Sequence, residues 1–403
     1  MTSREIVVKA INHQPTNRVP FDIGATAASG INAFSYIKLR EKLGLNNSDV
    51  KVIDIFGMLA RVDLDVMEAL GIDIVLAPSL KPRFGLSINR WKEQTFWNNI
   101  KVFIPYEAET VINGDESLLL LANGRVVGKM PKNGYYFSEI ANSTMGDIGQ
   151  LDGPIDPDKA RFENSFTDEE IEFRYKTTKD LYNNTDKAIV IDYTDNIRWD
   201  TSIPNWLYSM AAYTERTNQL HEKKSYAILE RVKLLAQAIG KYAQIFAIYQ
   251  DWGTQRGELV SPDMFKELVM PHYKRIFNWI HDNTTWKVLF HSCGSISKII
   301  PYMIEMGVDI LNPVQCEAFC MDPKYLKKTF GNKLVFWGGG VDTQNVLNYG
   351  SKEEVYNQVK ERISILGEGG GYVFAPTQDI QPDVPVENIC AMAKAVKSFD
   401  KYN

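Results

Sequence analysis

Short apolar runs rich in β-branched residues alternate along the chain with longer stretches whose apolar positions recur every three or four residues. Runs of the first kind predict strands and stretches of the second predict helices. Eight runs stand out: Val19–Gly24, Ile72–Ala77, Ala188–Tyr193, Ile245–Gln250, Trp286–Phe290, Val308–Asn312, Leu334–Trp337 and Gly371–Ala375. Most are almost continuously apolar, as strands covered on both faces are, and most end in a polar or glycine-rich loop. Repeated β-α units of this kind build a parallel sheet, and eight of them close a barrel. The pattern predicts the α/β class and a single (β/α)8 TIM barrel over residues 1–403.

The helices between the runs carry their own signals. Met1–Ile11 reads as an amphipathic helix, and Ala212–Tyr249 is strongly helical in its centre. Ser261 followed by Pro262 opens another, with the serine as N-cap and proline in the first turn. Ile296–Met306, despite Pro301, and Lys352–Leu366 follow the same pattern, and Gly367–Gly371 stops the last before the eighth run. Residues 84–140 break the rhythm. Lys101–Pro105 and Ser117–Ala122 alternate, and Asn123-Gly124 is a tight-turn signal before Arg125. A β-rich insertion after the second strand is expected there, serving as a lid or as a homodimer surface. Residues 150–180 read as a loop leading to a helix.

In a parallel barrel the groups just past each strand converge on one face. Here these are Asp22, Asp192, Asp195, Asp251 with Gln255, His291 with Cys293, Asn312 with Gln315 and Cys316, Asp342 with Gln344, and Gln378 with Asp379. His291 and Cys293 are two apart at the end of an apolar strand, so both side chains point to one side, and an imidazole beside a thiol suits a soft metal ion. Asp251 serves either as a cap of the next turn or as a catalytic group. Gly338 and Gly339 bring backbone close to a ligand or simply make a tight turn. Cys316 and Cys320 read as a ligand pair or as packed thiols, Cys390 as core, and His13, His221, His272 and His281 as surface or cap residues. Asp251, Gln255, Asp22 and Asp192 are the candidate catalytic residues, and Gly338, Gly339, Asp342 and Asn312 the candidate cofactor contacts.

Composition narrows the partners. The net charge is −5 with both signs interspersed, so neither nucleic acid nor an anionic membrane is an expected partner. No run approaches membrane-spanning length and no secretory signal is evident. Four cysteines in a chain of 403 residues fit a reducing cytoplasm in which thiols stay free.

Five motifs stand in a familiar order: Asp251-Trp-Gly-Thr-Gln255, Phe290-His-Ser-Cys-Gly294, Gly307-Val-Asp-Ile-Leu-Asn-Pro313, Phe336-Trp-Gly-Gly-Gly-Val-Asp342 and Asp383-Val-Pro-Val-Glu-Asn388. With Ile11–Pro20, they resemble the uroporphyrinogen decarboxylase superfamily, which implies the barrel. True decarboxylases of that kind hold a polycarboxylate with arginines after the first strand. Here that loop is Asp22–Gly30, without an arginine.

The chain resembles more closely the cobalamin-dependent branch of methylcobamide:coenzyme M type. That resemblance implies a methyl group moved between a corrinoid protein partner and a thiol or similar small acceptor, with zinc on His291, Cys293 and a third cysteine near the eighth strand. Gln378 stands where that cysteine is expected, so either Gln378 itself or Asp379, Cys316 or Asp251 completes the metal set, or the metal is lost. The alternatives are a metal-free decarboxylase acting on a smaller acid, and a non-catalytic corrinoid- or tetrapyrrole-binding protein.

Overall fold

The computed structural model describes residues 1–47, 49–139, 151 and 153–399; the last residue of the expected insertion and the first of the expected loop at 150 lie outside them. Seven parallel strands run in order around the barrel: Ile74–Ala77, Ala188–Tyr193, Ile245–Tyr249, Lys287–His291, Ile310–Asn312, Val335–Trp337 and Tyr372–Val373. The eighth stave, first in sequence, is reduced to a bridge at Phe21. Asp22 N–H bonds to Phe374 O at 2.9 Å on one side, and Asp73 N–H to Phe21 O at 2.8 Å on the other, so the ring closes. Pro20 has no N–H to give, and the Phe21 N–H goes to the Asp73 carboxylate, which is why Val19–Gly24 does not extend as a regular strand.

Side chains of alternate residues fill the barrel. Ile74, Val190, Ala247, Leu289, Ile310, Val335 and Val373 are wholly buried in its lower interior. Val7 and Ile11 of the helix Ser3–Ile11 join the same cluster and seal the bottom. That helix starts with a capping box between Thr2 and Glu5. Two residues further along four of these strands the interior turns polar, with Asp192, Tyr249, His291 and Asn312. This switch places the site at the C-terminal rim.

Beyond the second stave, Trp91–Thr95 pairs with Lys101–Pro105, and Glu109–Ile112, Leu118–Ala122, Arg125–Met130 and Ser138–Glu139 form an antiparallel sheet. Asn123 and Gly124 both take left-handed backbone, φ 51° and 74°, making the two-residue turn expected of them. A small hairpin, Val52–Asp54 with Leu59–Ala60, precedes the second stave and was not foreseen.

Ser261 caps Pro262–Leu268, and the helix at Lys352–Leu366 has the expected bounds. The helix expected over Ile296–Met306 spans only Ile300–Glu305, because Pro301, lacking an N–H, is confined to a first turn. His221 and His272 correct their expected surface position. His221 is fully buried, accepting from Trp206 Nε1 at 2.8 Å and donating to Leu268 O at 2.7 Å, and burial lowers its pKa to about 4. His272, 3% exposed and lowered to about 3 chiefly by burial, bonds Asn218 Oδ1. Both are neutral rings with polar partners, which the core tolerates. Among the described residues no helix is long and apolar enough to cross a membrane.

Candidate active site

His291 ends the fifth stave, in register with Tyr249 on one neighbour and Asn312 on the other. Asn312 Oδ1 lies 3.0 Å from His291 Nδ1, and Asn312 Nδ2 donates to Trp337 O at 3.4 Å. With its amide turned this way Asn312 accepts, so Nδ1 carries the proton and Nε2 keeps its lone pair. Nε2 is the nitrogen facing Cys293, whose Sγ is 3.4 Å away.

Several bonds hold the loop that carries the thiol. Ser292 N–H bonds to Asn312 O at 2.8 Å, Trp252 N–H to Ser292 Oγ at 3.0 Å, and Gly294 N–H to Gln315 Oε1 at 2.8 Å. Gly294 has φ 86°, and a Cβ there would stand 2.6 Å from the Gly253 carbonyl carbon, so only glycine fits. The Cys293 N–H donates to Asp251 Oδ1 at 2.8 Å, and the same oxygen is 3.6 Å from His291 Nε2. Gln378 Nε2 donates to Cys293 Sγ at 3.0 Å.

Asp251, His291 and Cys293 therefore bring one oxygen, one nitrogen and one sulfur within 4.8 Å of one another. Burial pushes the Cys293 thiol far above its ordinary range, the Asp251 charge adds to the rise, and the Gln378 N–H opposes it. A thiolate at Cys293 would stand beside the Asp251 carboxylate, a repulsion that a bound cation offsets. Three mixed N, S and O donors on an open rim fit zinc: Cys293 as thiolate and Asp251 supply two negative charges, as two thiolates would.

A cavity of about 450 Å³ opens beside this group, and His291 and Asp251 form part of its wall. Leu76, Ile203 and Trp206 give it apolar surface, Arg83 and Arg198 bring cationic groups, and the Tyr249 ring lies 5.3 Å from the His291 ring. Asp192 reaches the cavity while held by Arg174 Nη1 at 3.2 Å and by the Ser79 N–H at 3.0 Å. The hairpin at 52–60 contributes Ile53 and Leu59.

The other expected residues scatter. Asp22 is buried under the mouth, accepting from Trp337 Nε1 at 2.9 Å and from the Ala25 N–H at 2.9 Å; burial raises its pKa to about 6. Gln255 is exposed and outside the cavity wall. Asp342 spends its carboxylate on the Gln344 and Asn345 amides of its own turn. Gly338 and Gly339, φ 100° and 67°, form a tight turn away from the cavity. Cys316 lies against Gly339, its thiol pushed up to about 12 by burial, outside the three-donor group. Asp195 faces outward to Lys224 and Arg231. Asp379, raised to about 6 by burial, bonds Gln381 instead of joining the donors. Tyr249, Trp206, Arg83 and Arg198 were not anticipated. Of these, Tyr249 carried a signal: it continues the inward positions Ile245 and Ala247.

The profile of the uroporphyrinogen decarboxylase family matches residues 200–399, which include Asp251, His291, Cys293, Asn312 and Gln378. The methylated-thiol–coenzyme M methyltransferase of Methanosarcina mazei is 24% identical over 190 residues, 45% of this chain and 47% of that protein, so the likeness spans about half the length of that relative. A solved methyltransferase structure from Methanosarcina mazei superposes over 99% of both chains with a TM-score of 0.60 at 17% identity, a likeness of fold. Residues 200–399 thus match the uroporphyrinogen decarboxylase family, and both proteins that the chain resembles here are methyltransferases.

Proposed function

We propose that this chain is a zinc-assisted, corrinoid-dependent methyltransferase that moves a methyl group between a corrinoid protein and a small thiol or similar acceptor. The observation that carries this reading is the Asp251–His291–Cys293 group at the barrel rim, beside a cavity of small-molecule size. The relative's name, a methyltransferase acting on a methylated thiol and coenzyme M, supports the same chemistry.

His291 through Nε2, Cys293 through Sγ and Asp251 through a carboxylate oxygen would hold the metal. Zinc bound there supplies the positive charge that turns an acceptor thiol into a thiolate nucleophile. The chain's own residues do the rest. Asn312 keeps the imidazole proton on Nδ1, and Tyr249 and Trp206 form aromatic walls that orient the acceptor and exclude water. His221 fixes the Trp206 ring through its indole N–H. The corrinoid comes to the open rim on a separate protein. Asp251 takes the place in the donor set that a third cysteine holds in the resembled branch.

The test is an anaerobic assay of zinc-loaded protein with methylcob(III)alamin and a series of small thiols, following the loss of the methylcorrinoid spectrum. Transfer that needs His291 and Cys293 is expected. Carbon dioxide release from small acids by metal-stripped protein, with no methyl transfer in any combination, would move the assignment to the decarboxylases.

A further inference from the structure

Gln378 occupies the position where the resembled branch has a metal-binding cysteine, yet its geometry is that of a donor to sulfur. Nε2 lies 3.0 Å from Cys293 Sγ, with the amide nitrogen facing the sulfur. On the other side of the pair, Asn312 Oδ1 accepts from His291 Nδ1 at 3.0 Å. Two carboxamides thus act on the two ring-and-sulfur donors in opposite senses. Asn312 makes the imidazole nitrogen richer in electrons, and Gln378 draws density from the sulfur.

We propose that Gln378 is a positioning residue that donates its N–H to the Cys293 sulfur, leaving the third ligand position to Asp251. The inference rests on the metal reading above. A carboxamide oxygen is a weaker zinc ligand than the Asp251 carboxylate, which already stands 3.6 Å from His291 Nε2. An amide nitrogen is no ligand at all, but it is a good donor to a thiolate. The consequence is a centre with a single thiolate whose sulfur is partly neutralised by a hydrogen bond. Such a centre withdraws more charge from a bound acceptor than one with two free thiolates.

The experiment uses cobalt(II) as the probe. Metal-free chain is titrated anaerobically under reducing conditions, and the thiolate-to-cobalt charge-transfer band and the dissociation constant against a competing chelator are recorded. The wild type should show the intensity of one thiolate, abolished in Cys293→Ser. Gln378→Leu and the isosteric Gln378→Glu both remove the N–H donor. Each should shift the band to lower energy, and the leucine variant should bind about tenfold or more weakly, the usual loss for a residue supporting a ligand. Gln378→Cys should add a second thiolate and raise the band's intensity about twofold.

Circular dichroism and thermal midpoints identify any variant that fails to fold, and the remaining variants then decide. Band energy unchanged in both donor-deleted variants, with affinity within about twofold of wild type, overturns the role of Gln378. Failure of the wild type to bind cobalt at all, or a band that survives Cys293→Ser, instead removes the metal reading on which it rests.

Discussion

The lower and upper layers of the barrel interior are built from the same strands two residues apart, yet they do opposite work. Val190, Ala247, Leu289 and Ile310 fill the lower layer with apolar surface, wholly buried and sealed by Val7 and Ile11. One step up the same staves stand Asp192, Tyr249, His291 and Asn312, each tied to a polar partner or facing the cavity. The lower layer gains stability from burial, whereas the upper layer gives some of it up to hold charge and lone pairs where a ligand can reach them. Folding and chemistry are thus separable along one strand, and substitutions a single step apart should affect different measurements.

The largest separation is expected on the fifth stave. Leu289→Ala should cost about 2–5 kcal/mol in a urea unfolding series while leaving metal content at low temperature unchanged. Its upper neighbour should do the reverse: His291→Ala should weaken zinc by about a hundredfold or more in chelator competition, with the stability of the metal-free chain little altered. If Leu289→Ala emptied the metal site in a folded chain, the two layers would not be independent.

A pH series probes the price of the upper layer. Burial raises Asp22 from 3.8 to about 6, so the folded chain retains a proton that the unfolded chain releases. That contribution is complete below pH 3.8 and lost as pH rises through about 6. Wild type should therefore lose roughly 2 kcal/mol relative to Asp22→Asn between pH 4 and 7. His221, lowered to about 4, has the opposite dependence and cancels in the difference. Parallel stability curves for the two proteins would show that Asp22 titrates normally. The smallest effect lies at the bottom seal, where Thr2→Ala removes one half of the capping box and should cost about 1 kcal/mol with no change in metal binding.

Much of this division was legible in the chain. The apolar runs located every stave, because a strand buried on both faces leaves a continuous hydrophobic record. His291 and Cys293 declared themselves by their spacing at a strand end. The partners did not, since the register that sets Tyr249 and Asn312 on either side of His291 is a property of neighbouring strands and is absent from any one of them. Asp251 read equally well as a turn cap, and only its approach to two other donors distinguishes the roles. Gly338 and Gly339 looked like ligand contacts because a tight turn and a close approach require the same residue. His221 looked like a surface residue because the Trp206 indole that satisfies it lies fifteen positions away on another helix.

The central claim, that Asp251, His291 and Cys293 together hold zinc, is tested most directly by elemental analysis of chain purified under reducing, chelator-free conditions. About one zinc per chain is expected in the wild type, with a clear loss in both Cys293→Ser and Asp251→Ala. Zinc-free wild type, or full zinc retained in folded Cys293→Ser and Asp251→Ala chains, would contradict it.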